Sequence, residues 1–375
     1  MTAEITELTD LAFEGGAPLT TTPTLGTSSA GKTTRQGDAV ADGDVRVTIL
    51  GSGDPFVKPS QASASLLIEV GNEPHDFFFF DLGSGAVANF TGLGLPVTAT
   101  TKVFLSHLHA DHVGDMPTLV WSLAKAGRRD PVEVWGPAGP SPELGTRAYA
   151  EHLERAHLWD TRSLRGHPGQ SGARMEVTEV PCDRPSTVYD RDGVRISSFP
   201  VVHIQDGAVG YRLDFAGRSV VFSGDTRPCH PLLEACDGAD LLVHETFPSA
   251  DVFAQKAGVP LDFAERVVQG AHTSPTMAGR VFARAQARMS VMWHLAVDHQ
   301  VVARAYADMR RQYGGPVTIA QDLTTFDISP HAIRTFQSPV NQTPWPVLGP
   351  TSVTGPPLTE PPPPPGWWAA ALLAD

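Results

Sequence analysis

Residues 102–115 read KVFLSHLHADHVGD, and no other stretch of the chain limits its fold as tightly. Residues 102–105 make a short apolar run of the kind that forms a buried strand. The run leads at once into His107, His109, Asp111 and His112. Such a cluster is dense for an ordinary polar loop, since the whole 375-residue chain has 14 histidines. A strand that ends in a tight loop can turn all four side chains towards one point. Imidazole nitrogens and carboxylate oxygens are the donors that zinc and similar borderline cations take. The chain must therefore bury the strand and hold the loop still at its end.

The flanking sequence reads as two β-rich halves, each with helices. Residues 45–50 alternate as a strand, 64–70 form a second, and 77–82 pair with it across a turn at 71–76. After the histidine cluster, 116–125 reads as helical, 132–135 as a strand, and 141–165 as helix and loop. His152, His157 and His167 in this region lack ligand spacing and read as solvated surface. A second β series follows at 194–202, 208–215, 219–222 and 241–243, and residues 275–288 have helical apolar spacing. This pattern predicts an α+β fold in which two sheets pack face to face with helices outside, a four-layer αββα sandwich.

The ends of the chain differ in composition. Residues 1–43 read as a flexible arm, 44–337 as the catalytic domain and 338–375 as a proline-rich tail with an unbroken run from Pro361 to Pro365 before Trp367 and Trp368. Gly26 to Thr33 matches the phosphate-loop pattern GxxxxGK[ST]. That motif needs an apolar strand before it and a helix after it, because the helix N-terminus and the backbone N–H groups hold the phosphates. Neither flank is present, so the match is read as chance. Cys182, Cys229 and Cys236 form no CxxC pair and no disulfide framework. No signal peptide and no apolar run of membrane-spanning length is visible, so the expectation is a cytoplasmic protein without a membrane partner. A net charge of −13 opposes any broad electrostatic grip on nucleic acid.

The HxHxDH motif resembles the signature of the metallo-β-lactamase superfamily, and other segments agree in order along the chain. Asp81 matches the strand-end aspartate that buttresses the metal loop. His203 matches the third histidine, Asp225 the bridging aspartate and His294 the last histidine. The resemblance implies that His107, His109 and His203 hold one metal and that Asp111, His112 and His294 hold the other, with Asp225 between them. Two Zn²⁺ ions are expected, with Mn²⁺ or iron as substitutes, and Asp111 is expected to serve the reaction as well as the metal. Val243 to Phe247 and His272-Thr-Ser resemble the ribonuclease Z branch. There Glu245 would orient His272, and His272 would protonate the leaving group or steady the developing oxyanion. His244 is expected to play a structural part beside the site.

One departure bears on substrate. Ribonuclease Z enzymes that mature tRNA usually carry a long glycine-rich, basic arm between the third histidine and the bridging aspartate, and here one hairpin fills that interval. Extra sequence lies instead at 137–190, where it could rim the pocket. The expectation is a two-metal hydrolase that cleaves a small-molecule ester by a metal-bridging hydroxide. A sulfate or phosphate (di)ester is favoured, as in the arylsulfatase-like and phosphodiesterase-like members, with no nucleic-acid partner and a homodimer admitted. The alternatives are a ribonuclease Z-type nuclease, a carboxylic ester or lactone hydrolase, and an iron oxidoreductase on the same scaffold, against which Glu245 and His272 speak.

The reading of residues 26–33 is directly testable. Lys32→Ala should leave hydrolysis unchanged, and equilibrium dialysis should detect no ATP binding. Micromolar affinity abolished by the substitution would show a real nucleotide site.

Overall fold

The structure is a computed structural model that describes residues 40–342, 344–347 and 363–371. The phosphate-loop look-alike lies outside the described residues. In chain order the strands are β1 (Val45–Gly51), β2 (Ser65–Val70), β3 (Phe77–Phe80), β4 (Lys102–Phe104), β5 (Val132–Pro137), β6 (Met175–Val180), β7 (Ser186–Arg191) and β8 (Val194–Pro200). They continue as β9 (Val209–Phe215), β10 (Arg218–Phe222), β11 (Leu241–Glu245), β12 (Met289–Trp293), β13 (Val317–Ile319), β14 (Thr324–Ile328) and β15 (Ile333–Gln337). One sheet runs β15-β14-β1-β2-β3-β4-β5-β6 and the other β13-β12-β11-β10-β9-β8-β7.

Strand periodicity explains the layering. Successive side chains point to opposite faces, so a doubly buried strand is apolar on both. Leu66, Ile68, Phe80 and Phe104 of the first sheet meet Ile196, Tyr211, Phe222 and Trp293 of the second in one inner core. Leu67, Phe79 and Val103 face the other way and pack against Phe90, Leu119 and Trp121. On the far side, Val221, Leu242 and Met292 pack against Ala278, Phe282 and Val301. These are the four layers of an αββα sandwich. Aromatic rings tie the sheets together: Phe104 stacks on Trp135 at 4.6 Å, and Phe80 meets Phe222 edge-on at 6.0 Å.

Both sheets are mixed, and their parallel parts position the site. β3, β4, β5 and β6 run parallel, as do β10, β11, β12 and β13. The loops after β3, β4, β10 and β12 carry Asp81, the histidine cluster, Asp225 and His294, and Glu245 is the last residue of β11. Parallel strands gather functional loops at their carboxyl ends.

Several elements were not anticipated. β6 and β7 are edge strands whose exposed polar residues blur the alternation. The helices Ala250–Ala257, Leu261–Ala271 and His299–Arg310, and the strands β13 to β15, also lie in stretches without an assigned element. Two points beyond residue 337 are tied to the domain. The Ser338 hydroxyl lies 2.7 Å from that of Thr325, and the Val97 N–H donates to the Val347 carbonyl at 2.8 Å. Trp367 and Trp368 are exposed and meet edge-on. His157 is not simple surface, since its ring stacks on Trp121 at 4.3 Å.

Arg128 is fully buried, and burial lowers its pKa to about 9. Its guanidinium donates to the carbonyls of Thr100, Leu119, Val120, Gly172 and Asp130, which staples the 119–128 segment to its neighbours. Arg128→Leu would strand these acceptors in the interior, each a desolvation cost. Urea unfolding should show a loss of at least about 3 kcal/mol, and an unchanged midpoint would refute the stapling role.

Candidate metal centre

The centre begins where β4 ends. After Ser106 the chain turns through a four-residue helix, Ala110–Val113, with His109 at its N-cap and Asp111 and His112 inside it. The loop is clamped from below. The Leu82 N–H donates to the His112 carbonyl at 2.6 Å, the Asp115 N–H donates to Leu82 O at 2.9 Å, and the Asp115 carboxylate accepts from the Val87 N–H. This approach needs a glycine, because a Cβ on Gly83 would sit 2.1 Å from the Asp111 carbonyl oxygen. Gly224, at φ +56, likewise brings Asp225 in past Ser106, whose Cβ would lie 2.6 Å from a Cβ there.

The structure brings all seven predicted ligand residues together as two groups sharing Asp225: His107, His109, His203 and Asp225, and Asp111, His112, His294 and Asp225. In the first group, His109 Nδ1 lies 3.0 Å from His107 Nε2 and 3.3 Å from His203 Nε2. Donors bonded to one tetrahedral zinc at 2.0–2.1 Å stand roughly 3.3 Å apart, so this spacing fits a shared cation. Burial lowers the pKa of His107 and His109, and that of His203 to about 4, which keeps these imidazoles neutral with lone pairs to offer.

In the second group, Asp111 Oδ2 lies 3.2 Å from His294 Nε2 and 3.4 Å from His112 Nε2. The two oxygens of Asp225 divide between the groups. Oδ2 faces His107 and His203 at 4.0 and 3.9 Å, and Oδ1 faces His112 and His294 at 3.3 and 3.4 Å. His112 Nε2 and Asp225 Oδ1 are buried without a hydrogen-bond partner. Orphaned polar atoms in a closed interior are costly, and a cation between them removes that cost. Burial alone would push the Asp225 carboxyl up, but His294 and His112 outweigh it and hold it well below the usual carboxylate range. The donor set fits two divalent cations.

The far nitrogens of the imidazoles are held from behind. Asp81, fully buried at φ 55, accepts from His112 Nδ1 at 2.7 Å, from the Ser106 N–H at 2.6 Å and from the Ser106 hydroxyl at 2.7 Å. The Ser106 hydroxyl also sits 3.0 Å from His107 Nδ1, and His203 Nδ1 donates to the Ala271 carbonyl at 2.8 Å. Fixing one ring nitrogen fixes the tautomer and aims the other. His294 has no such partner and is held by its backbone instead, at φ 62, a left-handed conformation that a non-glycine residue adopts at some cost.

Beside the ligand groups lies a second polar pair, Glu245 and His272. Glu245 Oε1 is 3.1 Å from His272 Nδ1 and accepts from the Thr226 N–H at 2.8 Å. Burial works against a charge on His272, but Glu245 outweighs it and raises the pKa. Phe247 stacks on the His272 ring at 4.4 Å, a support the sequence reading missed although it stands two residues after Glu245. His244 is buried, its Nδ1 on the Glu245 carbonyl, and belongs to none of the candidate metal-binding groups among the described residues.

A cleft of about 400 Å³ opens against His107, His109 and His203. Residues between Pro137 and His152 wall one side of it, which is where the extra sequence at 137–190 was expected to act, and residues 205–208 wall another. The interval from His203 to Asp225 holds the β9–β10 hairpin, with no long arm.

Known proteins agree with this architecture. A family profile described as "Beta-lactamase superfamily domain" matches residues 88–295. A ribonuclease Z of Mycobacterium avium is 32% identical over 288 residues, which cover 74% of this chain and 96% of that protein. Among solved structures, the short form of human tRNase Z matches with a TM-score of 0.53 at 22% identity, over 76% of this chain and 98% of its own. YhfI of Bacillus subtilis, a metallo-β-lactamase fold protein, matches with a TM-score of 0.55 at 18% identity, over 76% and 99%.

The support behind His112 predicts a measurable effect. Asp81→Ala should weaken metal retention by about 10–100-fold in competition with a chelator, the usual range for losing such a support. Unchanged retention in a folded variant would remove Asp81 from the centre.

Proposed function

Because this chain belongs to the metallo-β-lactamase superfamily as a metal-dependent hydrolase related to ribonuclease Z, we propose that it is a two-zinc phosphodiesterase of the ribonuclease Z type. This reverses the order of substrates expected from the sequence alone, where a small-molecule ester stood first. The single observation that carries the reading is His272, held 3.1 Å from Glu245 and 3.9 Å from Asp225, beside the two ligand groups. A positioned proton donor is needed most where the leaving group is a poor one, such as a sugar alkoxide.

In this reading His107, His109 and His203 would hold one ion and Asp111, His112 and His294 the other, with Asp225 shared by the two groups. When bound, such a pair polarises the phosphoryl group and activates a water for attack. The chain's own residues do the rest. Asp225 offsets the repulsion between two cations. Glu245 is a positioning residue that keeps His272 Nδ1 occupied and turns the other ring nitrogen outwards. Phe247 holds the ring plane, and His272 delivers the proton to the departing oxygen. A second reading, a small phosphodiester or sulfate ester in place of RNA, is favoured by the hairpin between His203 and Asp225 and by the net charge of −13, neither of which grips a folded RNA.

Two comparisons test these claims. Cleavage of a precursor tRNA, bis(4-nitrophenyl) phosphate and 4-nitrophenyl sulfate should rank the substrate classes. Hydrolysis of the sulfate alone would overturn the phosphodiester reading. Asp225→Ala should lose metal and activity together, whereas His272→Ala should keep both metals and slow turnover by about 10²–10⁴-fold. That defect should shrink for nitrophenolate leaving groups and grow for alkoxides, with Glu245→Gln showing a milder version. A His272→Ala protein that loses a metal, or is equally impaired on every leaving group, would refute the acid role.

A further inference from the structure

A second cleft, of about 490 Å³, lies at the edge of the first sheet opposite the metal centre. It is lined by Phe77 and Lys102, the first residues of β3 and β4, and by Val70, the last of β2. The ligand loops leave the other ends of β3 and β4. The segment between β3 and β4 supplies Leu95, Pro96 and Ala99, which with Val70 and Phe77 give the cleft apolar walls. Its size is that of a pocket for a small organic molecule.

One polar side chain in these walls has nothing to hold. Glu69 shares a face of β2 with Leu67, the face that the helices cover. It is only 7% exposed, and it lines this cleft. Among the described residues its carboxylate forms no hydrogen bond and no ion pair. The neighbouring cations are engaged with other carboxylates. Arg46, its cross-strand neighbour on β1, donates to Asp327 at 2.7 Å. Lys102 pairs with Asp76, which also accepts from the Asn72 side chain at 2.8 Å. Burial therefore pushes the Glu69 carboxyl up to about 7, since Arg46 offsets only part of the effect and Asp327 adds to it. A buried carboxylate without donors is costly, and native interiors rarely keep one without a use.

We propose that this cleft binds a small organic cation with an apolar body, such as an aromatic amine, whose ammonium group pairs with Glu69. The apolar walls take the ring. An ammonium carries three donors, and the hydroxyls of Thr98 and Thr101, which line the same cleft, can accept beside the carboxylate. An anion of the same shape would meet Glu69 with no disengaged cation to offset it. The site stands apart from the metal centre, so the proposal does not depend on the phosphodiester reading.

The test uses three compounds that share an indole ring and differ in charge: tryptamine (positive), tryptophol (neutral) and indole-3-acetate (negative). Ligand-observed NMR titration of the full chain at pH 8 should show saturable tryptamine binding with a Kd of about 1 mM or below. Tryptophol should bind at least about tenfold more weakly, for want of a charge-assisted pair, and indole-3-acetate more weakly again. Glu69→Gln, which keeps the shape of the side chain, should bring tryptamine and tryptophol within about threefold of each other. Ala99→Phe, which narrows the cleft and leaves the carboxylate in place, should weaken both by about tenfold or more. Tryptamine affinity should also fall from pH 8 to pH 6, as Glu69 gains a proton while the ammonium keeps its own. Absence of that fall in Glu69→Gln would separate Glu69 from Arg46, His75, Asp76, Lys102 and Asp327, the other charged or titratable groups around it. Circular dichroism and thermal midpoints confirm that each variant is folded. Equal affinities for the three compounds, no saturable tryptamine binding, or a tryptamine preference or pH dependence that survives in folded Glu69→Gln would overturn the site. Full tryptamine affinity in folded Ala99→Phe would place the binding elsewhere and overturn it equally.

Discussion

The centre depends on one carboxylate that never meets solvent. Asp81 accepts hydrogen bonds from His112, from the Ser106 backbone and from the Ser106 hydroxyl, which in turn meets His107. Burial pushes its pKa up, while His112 and the Ser106 donors work in the opposite direction. A buried carboxylate is tolerable only when donors surround it. The end of β3 and the loop after β4 must therefore meet in one arrangement. One residue of each ligand group, His107 and His112, is aimed by that arrangement.

The two sheets divide the remaining work. The first supplies the histidine loop and its support. The second supplies Asp225, Glu245 and His294 from the ends of neighbouring parallel strands, with His203 on the loop after β8. Asp225 is the meeting point, because its two oxygens face different ligand groups. The shared aromatic core, with Phe80 against Phe222 and Trp293 against Phe222, sets how far apart the two halves of the centre stand. Close packing transmits any change there directly to the site.

Short strands with plain apolar periodicity, such as β1, β2 and β10, were legible because burial on a sheet leaves a local signature. The edge strands β6 and β7 were not, since an edge residue is half solvated and its pattern resembles a loop. The helix Leu261–Ala271 was passed over although it ends at His272, a residue recognised by motif alone. The weighing of substrates also shifted. Charge and a missing arm argued for a small ester, while kinship with ribonuclease Z moved the phosphodiester reading to the front of the proposal.

The sequence by itself determined the 107–112 donor cluster and the αββα class, because ligand chemistry and strand periodicity are written in residue identities a few positions apart, while His203, Asp225 and His294 were legible only through resemblance to the superfamily. Only the tertiary structure decided that Asp225 faces both ligand groups, that Phe247 braces His272 and that Glu69 and Leu95 wall one cleft. Those relations join residues far apart in the chain. They follow from how two sheets pack and twist against each other, a sum over the whole core that no local pattern contains.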